Sequence, residues 1–373
     1  MLSVVDIGHL DVFLGDVRVG TLARDEEGLA CFEYDSAWLV SGYSISPLSL
    51  PLEPRLFRPA WSPFEGMFGV FSDSLPDGWG RMLVDRALRA RGIAPEWVDE
   101  LSRLAIVGPE GMGALRYEPS FGKRDERSIE DFDAFAQSCR AVLADHDVAD
   151  LDELVALGGS SGGARPKALL SVEGESWIVK FPTRRDGPDA GRVEYEYAEC
   201  ARSCGLRLPE TRLFPSAATA GYFGAKRFDR AAGERIHMVS AGGLLEASHR
   251  LPSLDYRALM QLTMLLTHDL AELEQMYRLM CFNVYAHNQD DHAKNFSFLC
   301  RDGRWELAPA YDLTYSTSFG DEQSTTVRGK GRPDDADLVA TGVEFGLPKR
   351  MASAIAKDIK RLCHDLLERN ALE

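Results

Sequence analysis

The sequence is short of positive charge: 42 lysines and arginines stand against 58 aspartates and glutamates, a net charge of −16 over 373 residues. Such a surface favours solubility and argues against broad nonspecific nucleic-acid binding. No helix-turn-helix pattern supplies DNA contact either, so DNA is expected only indirectly, through a partner. No stretch approaches roughly eighteen uninterrupted apolar residues, which excludes an expected membrane span. Asp6 and Asp11 fall before any long apolar run, so no signal peptide is expected. The seven cysteines are odd in number and contain no Cys-x-x-Cys. They read as reduced core cysteines of a cytoplasmic protein, not as a disulfide frame or a zinc site. Cys200 and Cys204 share a helix face, but no His pair at ligand spacing accompanies them. Internal repeats and low-complexity segments are also missing. Gly158 and Gly163 have the spacing of a mononucleotide P-loop, yet Ala164 and Arg165 stand where Lys and Ser/Thr are required.

What is present is an ordinary globular composition, 45% hydrophobic and 27% charged, with length for two or three domains. The most informative stretch is His287-Asn288-Gln289-Asp290-Asp291-His292-Ala293-Lys294-Asn295-Phe296-Ser297-Phe298. An Asp, four residues, then an Asn is the spacing of a phosphotransferase catalytic loop. There the Asp accepts the proton of an attacking hydroxyl, and the Asn, with a later Asp, holds magnesium on the nucleotide. Asp290 and Asn295 have that spacing, and Asp312 follows after an apparent hairpin through Asp302-Gly303. Polar residues also cluster in loops without chemistry, so the remaining parts of a kinase have to be found elsewhere.

Residues 12–34 alternate as short strands between turns at Gly15-Asp16 and 25–28, which predicts a meander or small barrel. After a proline-rich connection, Leu75-Pro76-Asp77-Gly78-Trp79-Gly80 starts a helix over 81–91. That segment is either a capped helix on a small sheet or a docking surface for a partner. Residues 119–128 are polar and mark a boundary, with helices expected near 131–143 and 151–157. Gly158-Gly159-Ser160-Ser161-Gly162-Gly163-Ala164-Arg165-Pro166-Lys167 then precedes an apolar strand. Its glycines let backbone amides approach phosphate oxygens, although such a run also serves as a plain flexible turn.

The following strand, Trp177-Ile178-Val179-Lys180, ends in a lone lysine, which is the layout of a kinase small lobe. Glu194 opens the next helix, either to pair with Lys180 or as an exposed acid favoured by the macrodipole. Residues 222–230 read as a strand leading into a hinge whose backbone faces adenine, or as the end of a sheet. One helical segment is expected over 255–286, with Leu270, Leu273, Tyr277, Met280, Cys281 and Val284 on one face. Residues 315–335 form a mobile substrate-facing loop or a solvated one, and 348–372 form a closing amphipathic helix.

Taken together, these blocks resemble the HipA-type serine/threonine kinases, toxins of bacterial toxin-antitoxin pairs, over nearly the whole length. The resemblance rests on Leu75-Pro76-Asp77-Gly78-Trp79-Gly80, the 162–167 loop, Val179-Lys180-Phe181-Pro182, Arg227-Phe228-Asp229-Arg230, His292-Ala293-Lys294-Asn295-Phe296-Ser297 and Tyr311-Asp312-Leu313. It implies an α+β, two-lobed protein-kinase-like fold with a β-rich N-lobe and a helical C-lobe, using ATP and magnesium (Mg2+). The implied division is an N-terminal β/α subdomain over 1–118, an N-lobe over 119–230 and a C-lobe over 231–373.

The resemblance implies Asp290 as catalytic base and Asn295 and Asp312 as metal ligands. The implied ATP contacts are Gly162, Gly163, Ala164, Arg165, Pro166, Lys167 and Lys180, the hinge Lys226, Arg227 and Phe228, and His292, Ala293, Lys294, Asn295, Tyr311 and Asp312. Family members autophosphorylate a serine at the start of the glycine loop; Ser160, or its neighbour Ser161, has that position here. The implied partners are a cognate HipB-like DNA-binding antitoxin and a protein substrate, aminoacyl-tRNA synthetases being among the family's targets. Asp291 stands where the familiar member has Gly; it either raises the pKa of its neighbour or points to solvent, the reading preferred here. Two other readings remain: a catalytically silent relative acting with an antitoxin as co-repressor, and a small-molecule or lipid kinase sharing the loop.

Overall fold

The computed structural model describes residues 7–108, 111–121, 128–129, 131–146, 148–160, 162–231, 233–248, 250–251, 253–318 and 320–368. It is a mixed α/β fold built on antiparallel strand pairs, divided into two compact units. The first comprises residues 1–192, 212–239 and 243–246, the second residues 193–211, 240–242 and 247–373.

In the first unit, β1 (His9–Leu14), β2 (Val17–Arg24), β3 (Ala30–Tyr34), β4 (Leu56–Phe57) and β5 (Leu115–Glu118) form one sheet, ordered β4-β3-β2-β1-β5. The meander arises where expected, because Gly15, at φ 60°, closes a two-residue turn that pairs Leu14 with Val17. Strand β5 lies beside a polar segment that carries no strand signal of its own; pairing with β1 recruits it. Two short helices, α1 (Ser36–Ser41) and α2 (Gly69–Ser72), follow β3 and β4 in sequence. Phe71 of α2 packs against Phe32 and Tyr117, with ring centroids 5.2 and 6.4 Å apart.

Helix α3 (Gly78–Ala90) precedes α4 (Glu100–Val107). Trp79 and Leu83, one turn apart on α3, enter a core shared with α5 (Phe132–Leu143) and α6 (Leu151–Gly158). The same core takes Leu170, Trp177, Val179 and Phe181 from the second sheet or its edge. That sheet consists of β6 (Lys167–Val172), β7 (Glu175–Lys180), β8 (Thr211–Phe214) and β9 (Tyr222–Lys226), ordered β6-β7-β9-β8. A two-stranded ribbon, β10 (Arg230–Ala231) with β11 (Glu234–Arg235), and the strand β12 (His237–Ser240) come next.

The chain enters the second unit within α7 (Ala190–Ser203) and returns after α8 (Ala241–Leu245). The single helix expected over 255–286 is two: α9 (Tyr256–Thr267) and α10 (Leu270–Tyr285). His268, in the left-handed region at φ 52°, stops the first; Asp269 starts the second by accepting the Ala271 amide at 2.8 Å. Most of the expected apolar face of α10 is buried, but Leu270, at its first position, is exposed. The hairpin β13 (Ser297–Arg301) and β14 (Arg304–Leu307) forms through Asp302 and Gly303, both at positive φ. Helices α11 (Asp335–Glu344) and α12 (Lys349–Cys363) close the unit, and Tyr277 Oη of α10 donates to the Ala352 carbonyl at 3.0 Å. The last expected helix therefore ends at Cys363, followed by a wider turn through His364–Glu368. Among the described residues, no helix is long and apolar enough to cross a membrane.

Candidate active site

In the second unit the loop between α10 and β13 carries Asp290, and most of its neighbours serve to hold it. Asn288 is buried and donates through Nδ2 to Asn283 Oδ1 of α10 at 3.0 Å, while Ser316 Oγ donates to Asn288 Oδ1 at 3.1 Å. Gln289 is buried too, donating to Asp321 Oδ1 at 2.8 Å and accepting the Ser318 amide at 2.8 Å. The Asp290 amide donates to Ser316 Oγ at 2.9 Å, yet its side chain remains 65% exposed. A fixed backbone under an accessible carboxylate is what a general base requires. His292 Nε2 lies 3.9 Å from Asp290 Oδ1, and His292 Nδ1 accepts the Lys294 amide at 3.2 Å, capping the one-turn helix Ala293–Asn295.

Asn295 Nδ2 donates to the Asp290 carbonyl at 2.6 Å. That bond fixes the flip of the amide and leaves its oxygen as the free acceptor. Tyr311 Oη contacts the Lys294 carbonyl at 2.5 Å and Ser297 Oγ at 2.6 Å, and the Ser316 amide donates to the His287 carbonyl at 3.1 Å. The segment bearing Asp312 is thus tied to the loop on both sides, and Asp312 itself takes φ 56°. An amide oxygen and a carboxylate are hard oxygen donors of the type magnesium accepts, so Asn295 and Asp312 fit that ion.

Asp291 does not point to solvent. It is fully buried and accepts from Tyr256 Oη at 2.8 Å, the Thr325 amide at 3.0 Å and Gln323 Nε2 at 3.2 Å. Burial pushes its carboxyl up to about 7 despite these donors. Within the segment expected as a mobile or solvated loop, residues 323–325 are held: Gln323 and Thr325 are buried, and Ser324 Oγ donates to the Gln289 carbonyl at 2.7 Å. Tyr256, Gln323 and Thr325 carry no motif, and sequence reasoning passed over them.

In the first unit the glycine loop is anchored to the start of α3. The Asp77 carboxylate, at the N-cap of that helix, accepts the Gly163 amide instead of capping α3 with its side chain. The Trp79 amide donates to the Gly163 carbonyl at 2.9 Å, and Trp79 Nε1 donates to the Lys167 carbonyl at 3.2 Å. Gly78, at φ 40°, is required here, because a Cβ would lie 2.5 Å from the Gly163 carbonyl oxygen. This internal role belongs neither to a helix simply capped on a small sheet nor to a partner-docking surface. The signal in the sequence is a glycine beside an aspartate at a helix start, which does not reveal the aspartate's partner.

Ser160 is 8% exposed, while Ser161 lies outside the described residues. Gly162 passes Asp77, with an added Cβ 3.5 Å from Oδ1; Ala164 continues the loop, and Arg165 pairs with Asp186 at 3.3 Å. The Pro166 carbonyl accepts the Phe181 amide at 2.8 Å, and Lys167 opens β6 opposite Lys180 on β7. Lys180 Nζ lies 5.7 Å from the centroid of the Phe223 ring. Glu194 is in the second unit, on the second turn of α7, and is buried; it is not the exposed first-turn acid.

At the expected hinge, Lys226 pairs with Glu175 at 3.1 Å and the Arg227 amide donates to the Ser176 carbonyl at 2.8 Å. The Arg227 side chain is buried, with Nε and Nη2 donating to Asp229 at 2.9 and 2.7 Å and Nη2 also to the Gly111 carbonyl at 3.1 Å. Burial alone would raise the Asp229 carboxyl, but Arg227 and Arg230 hold it well below its ordinary value. The side chains of Arg227 and Asp229 therefore bind each other, and Phe228 between them continues the backbone toward β10.

Comparison with known proteins supplies the family. Residues 10–118 match the HipA N-terminal domain, and residues 159–366 match the HipA-like C-terminal domain. A curated relative, "Putative kinase Y4mE" of Sinorhizobium fredii, is 25% identical over 347 residues, covering 84% of this chain and 78% of its own. The HipA chain of Shewanella oneidensis, solved in complex with HipB and operator DNA, overlays with a TM-score of 0.72. That likeness covers 97% of this chain and 91% of the other at 19% identity, and it shows that the two share a fold. Since the C-terminal match alone spans more than half of its length, this chain belongs to the HipA family.

Proposed function

We propose that the protein is an ATP-dependent kinase of the HipA toxin type that transfers phosphoryl groups to serine or threonine hydroxyls. The observation that carries this reading is the exposed Asp290 carboxylate on a loop whose backbone is held by Ser316 and whose Asn295 is held by Asp290 itself. In this reading Asp290 accepts the proton of the attacking hydroxyl as its oxygen bonds to the terminal phosphorus of ATP, and the bond to ADP breaks. Magnesium, held by Asn295 and Asp312, supplies charge neutralisation at the phosphates. The glycine loop and Lys180 are assigned to phosphate contacts, the 226–228 hinge to adenine, and His292, Ala293, Lys294 and Tyr311 to further nucleotide contacts. The three-part division 1–118, 119–230 and 231–373 belongs to the same reading.

The substrate is proposed to be a translation component of the aminoacyl-tRNA synthetase class, and the acceptor for autophosphorylation Ser160 or Ser161. The buried position of Ser160 means that the loop has to move before its hydroxyl is phosphorylated. The proposed partner is a HipB-like antitoxin; the complex solved for the Shewanella relative supports this pairing. Such a partner carries the DNA contacts for a chain of net charge −16.

The test is incubation with labelled ATP and magnesium, followed by mass spectrometry, for wild type and Asp290→Asn. Phosphate on Ser160 or Ser161 in the wild type, and at least about 1000-fold less in Asp290→Asn, is the expected result. Equal labelling of the two proteins removes Asp290 as base. Nucleotide binding by neither favours the co-repressor reading.

A further inference from the structure

Three cysteines that the phosphotransfer reading does not use converge in the second unit. Cys200 lies on α7 and Cys204 directly follows the last residue of that helix, its amide donating to the Cys200 carbonyl at 2.9 Å, and Cys363 is the last residue of α12. All three are buried free thiols, and their Sγ atoms lie within 4.8 Å of one another. The spacing of four along a helix puts two sulfurs on one face, and a residue about 160 positions away in sequence supplies the third. Among the described residues, no other three His, Cys, Asp or Glu side chains come together in this way.

The dimensions suit a metal ion. A tetrahedral zinc ion binds thiolate at about 2.3 Å, which places its sulfur ligands about 3.8 Å apart. The cluster reaches that geometry by contracting less than about 1 Å, a side-chain adjustment and not a backbone one. Cys200 Sγ also lies 3.9 Å from the Leu362 carbonyl, a further oxygen at hand. Arg278, paired with Glu274 at 2.6 Å, donates through Nη1 to the Cys204 carbonyl at 3.1 Å and so pins the backbone that carries this ligand.

We propose that Cys200, Cys204 and Cys363 form a structural site for a soft, thiophilic d10 cation of the zinc class, tying the end of α12 to α7. Each thiol that becomes a ligand releases its proton to solvent, so affinity rises with pH. The site stands apart from phosphoryl transfer and does not depend on it.

The experiment uses the full chain, purified with reductant, stripped with chelator and titrated with Zn2+ against a chromogenic chelator. One Zn2+ per chain is expected, with affinity weakened at least about 100-fold in Cys204→Ser and Cys363→Ser and unchanged in the control Cys139→Ser. Two measurements on the wild type stand even where a variant fails to fold. Cd2+ gives a thiolate-to-metal charge-transfer band, and Zn2+ protects the three thiols, but not Cys31, from alkylation mapped by mass spectrometry. No stoichiometric uptake, uptake equal in the variants, an alkylation pattern indifferent to Zn2+, or a disulfide among the three in place of metal binding each overturns the proposal.

Discussion

Asp290 and Asp291 are neighbours with opposite environments, and the difference decides what each does. Asp290 meets solvent, whereas Asp291 is enclosed by Tyr256, Gln323 and Thr325. With its carboxyl pushed up to about 7, Asp291 stays protonated in the folded chain where the unfolded chain has already ionised. The native state therefore binds more protons between its ordinary range and about 7, and stability from this group falls as pH rises through that window. Asp291→Asn, which cannot ionise, should flatten that part of the stability-pH curve by up to about 4 kcal/mol, read from denaturant midpoints at pH 4.5 and 7.5. A curve identical to wild type counts against the buried protonated form. Asp229 poses the opposite case, a charged group held between Arg227 and Arg230. Asp229→Ala leaves two guanidinium groups without it and should cost about 3–5 kcal/mol in urea unfolding, whereas loss of under about 1 kcal/mol would show the pair to be replaceable.

At the scale of elements, the start of α3 and the glycine loop behave as one part. Three hydrogen bonds join Asp77 and Trp79 to Gly163 and Lys167, and Gly78 leaves room for the crossing. Gly78→Ala places a methyl where the Gly163 carbonyl lies and puts a non-glycine residue at positive φ, at a cost of about 1–3 kcal/mol. The expected outcome is a displaced loop, with KM for ATP raised about tenfold while circular dichroism still reports a folded chain. An unchanged KM would separate loop position from nucleotide affinity. The strands and turns themselves were legible, since Gly15-Asp16 and Asp302-Gly303 state their hairpins locally. The break between α9 and α10 was not, because a histidine in the left-handed region leaves no compositional mark. Strand β5 was invisible for a related reason: its pairing with β1 spans about a hundred residues, and only the partner strand makes it a strand.

The whole molecule is threaded so that its second unit is discontinuous, taking residues 193–211 from a stretch far from 247–373. Tyr197 of that stretch donates to the Ala286 carbonyl at 3.1 Å, and Arg207 pairs with Glu272. A fragment of residues 247–373 lacks α7 and should be largely unfolded by circular dichroism, with no cooperative thermal transition. A fragment that melts cooperatively would show α7 to be dispensable. The parts assigned to the proposed phosphoryl transfer, Asp290, Asn295, Asp312, Lys180 and the glycine loop, come from the sequence by itself, because each role calls for particular residue types at short spacing. Tertiary structure alone decided what holds them: Asp291 turned inward, residues 323–325 strapped under the loop, Asp77 bound to Gly163, and Cys363 brought to Cys200 and Cys204. These contacts join residues tens to more than a hundred positions apart, and spacing along the chain carries no signal for partners that only folding brings within hydrogen-bonding reach.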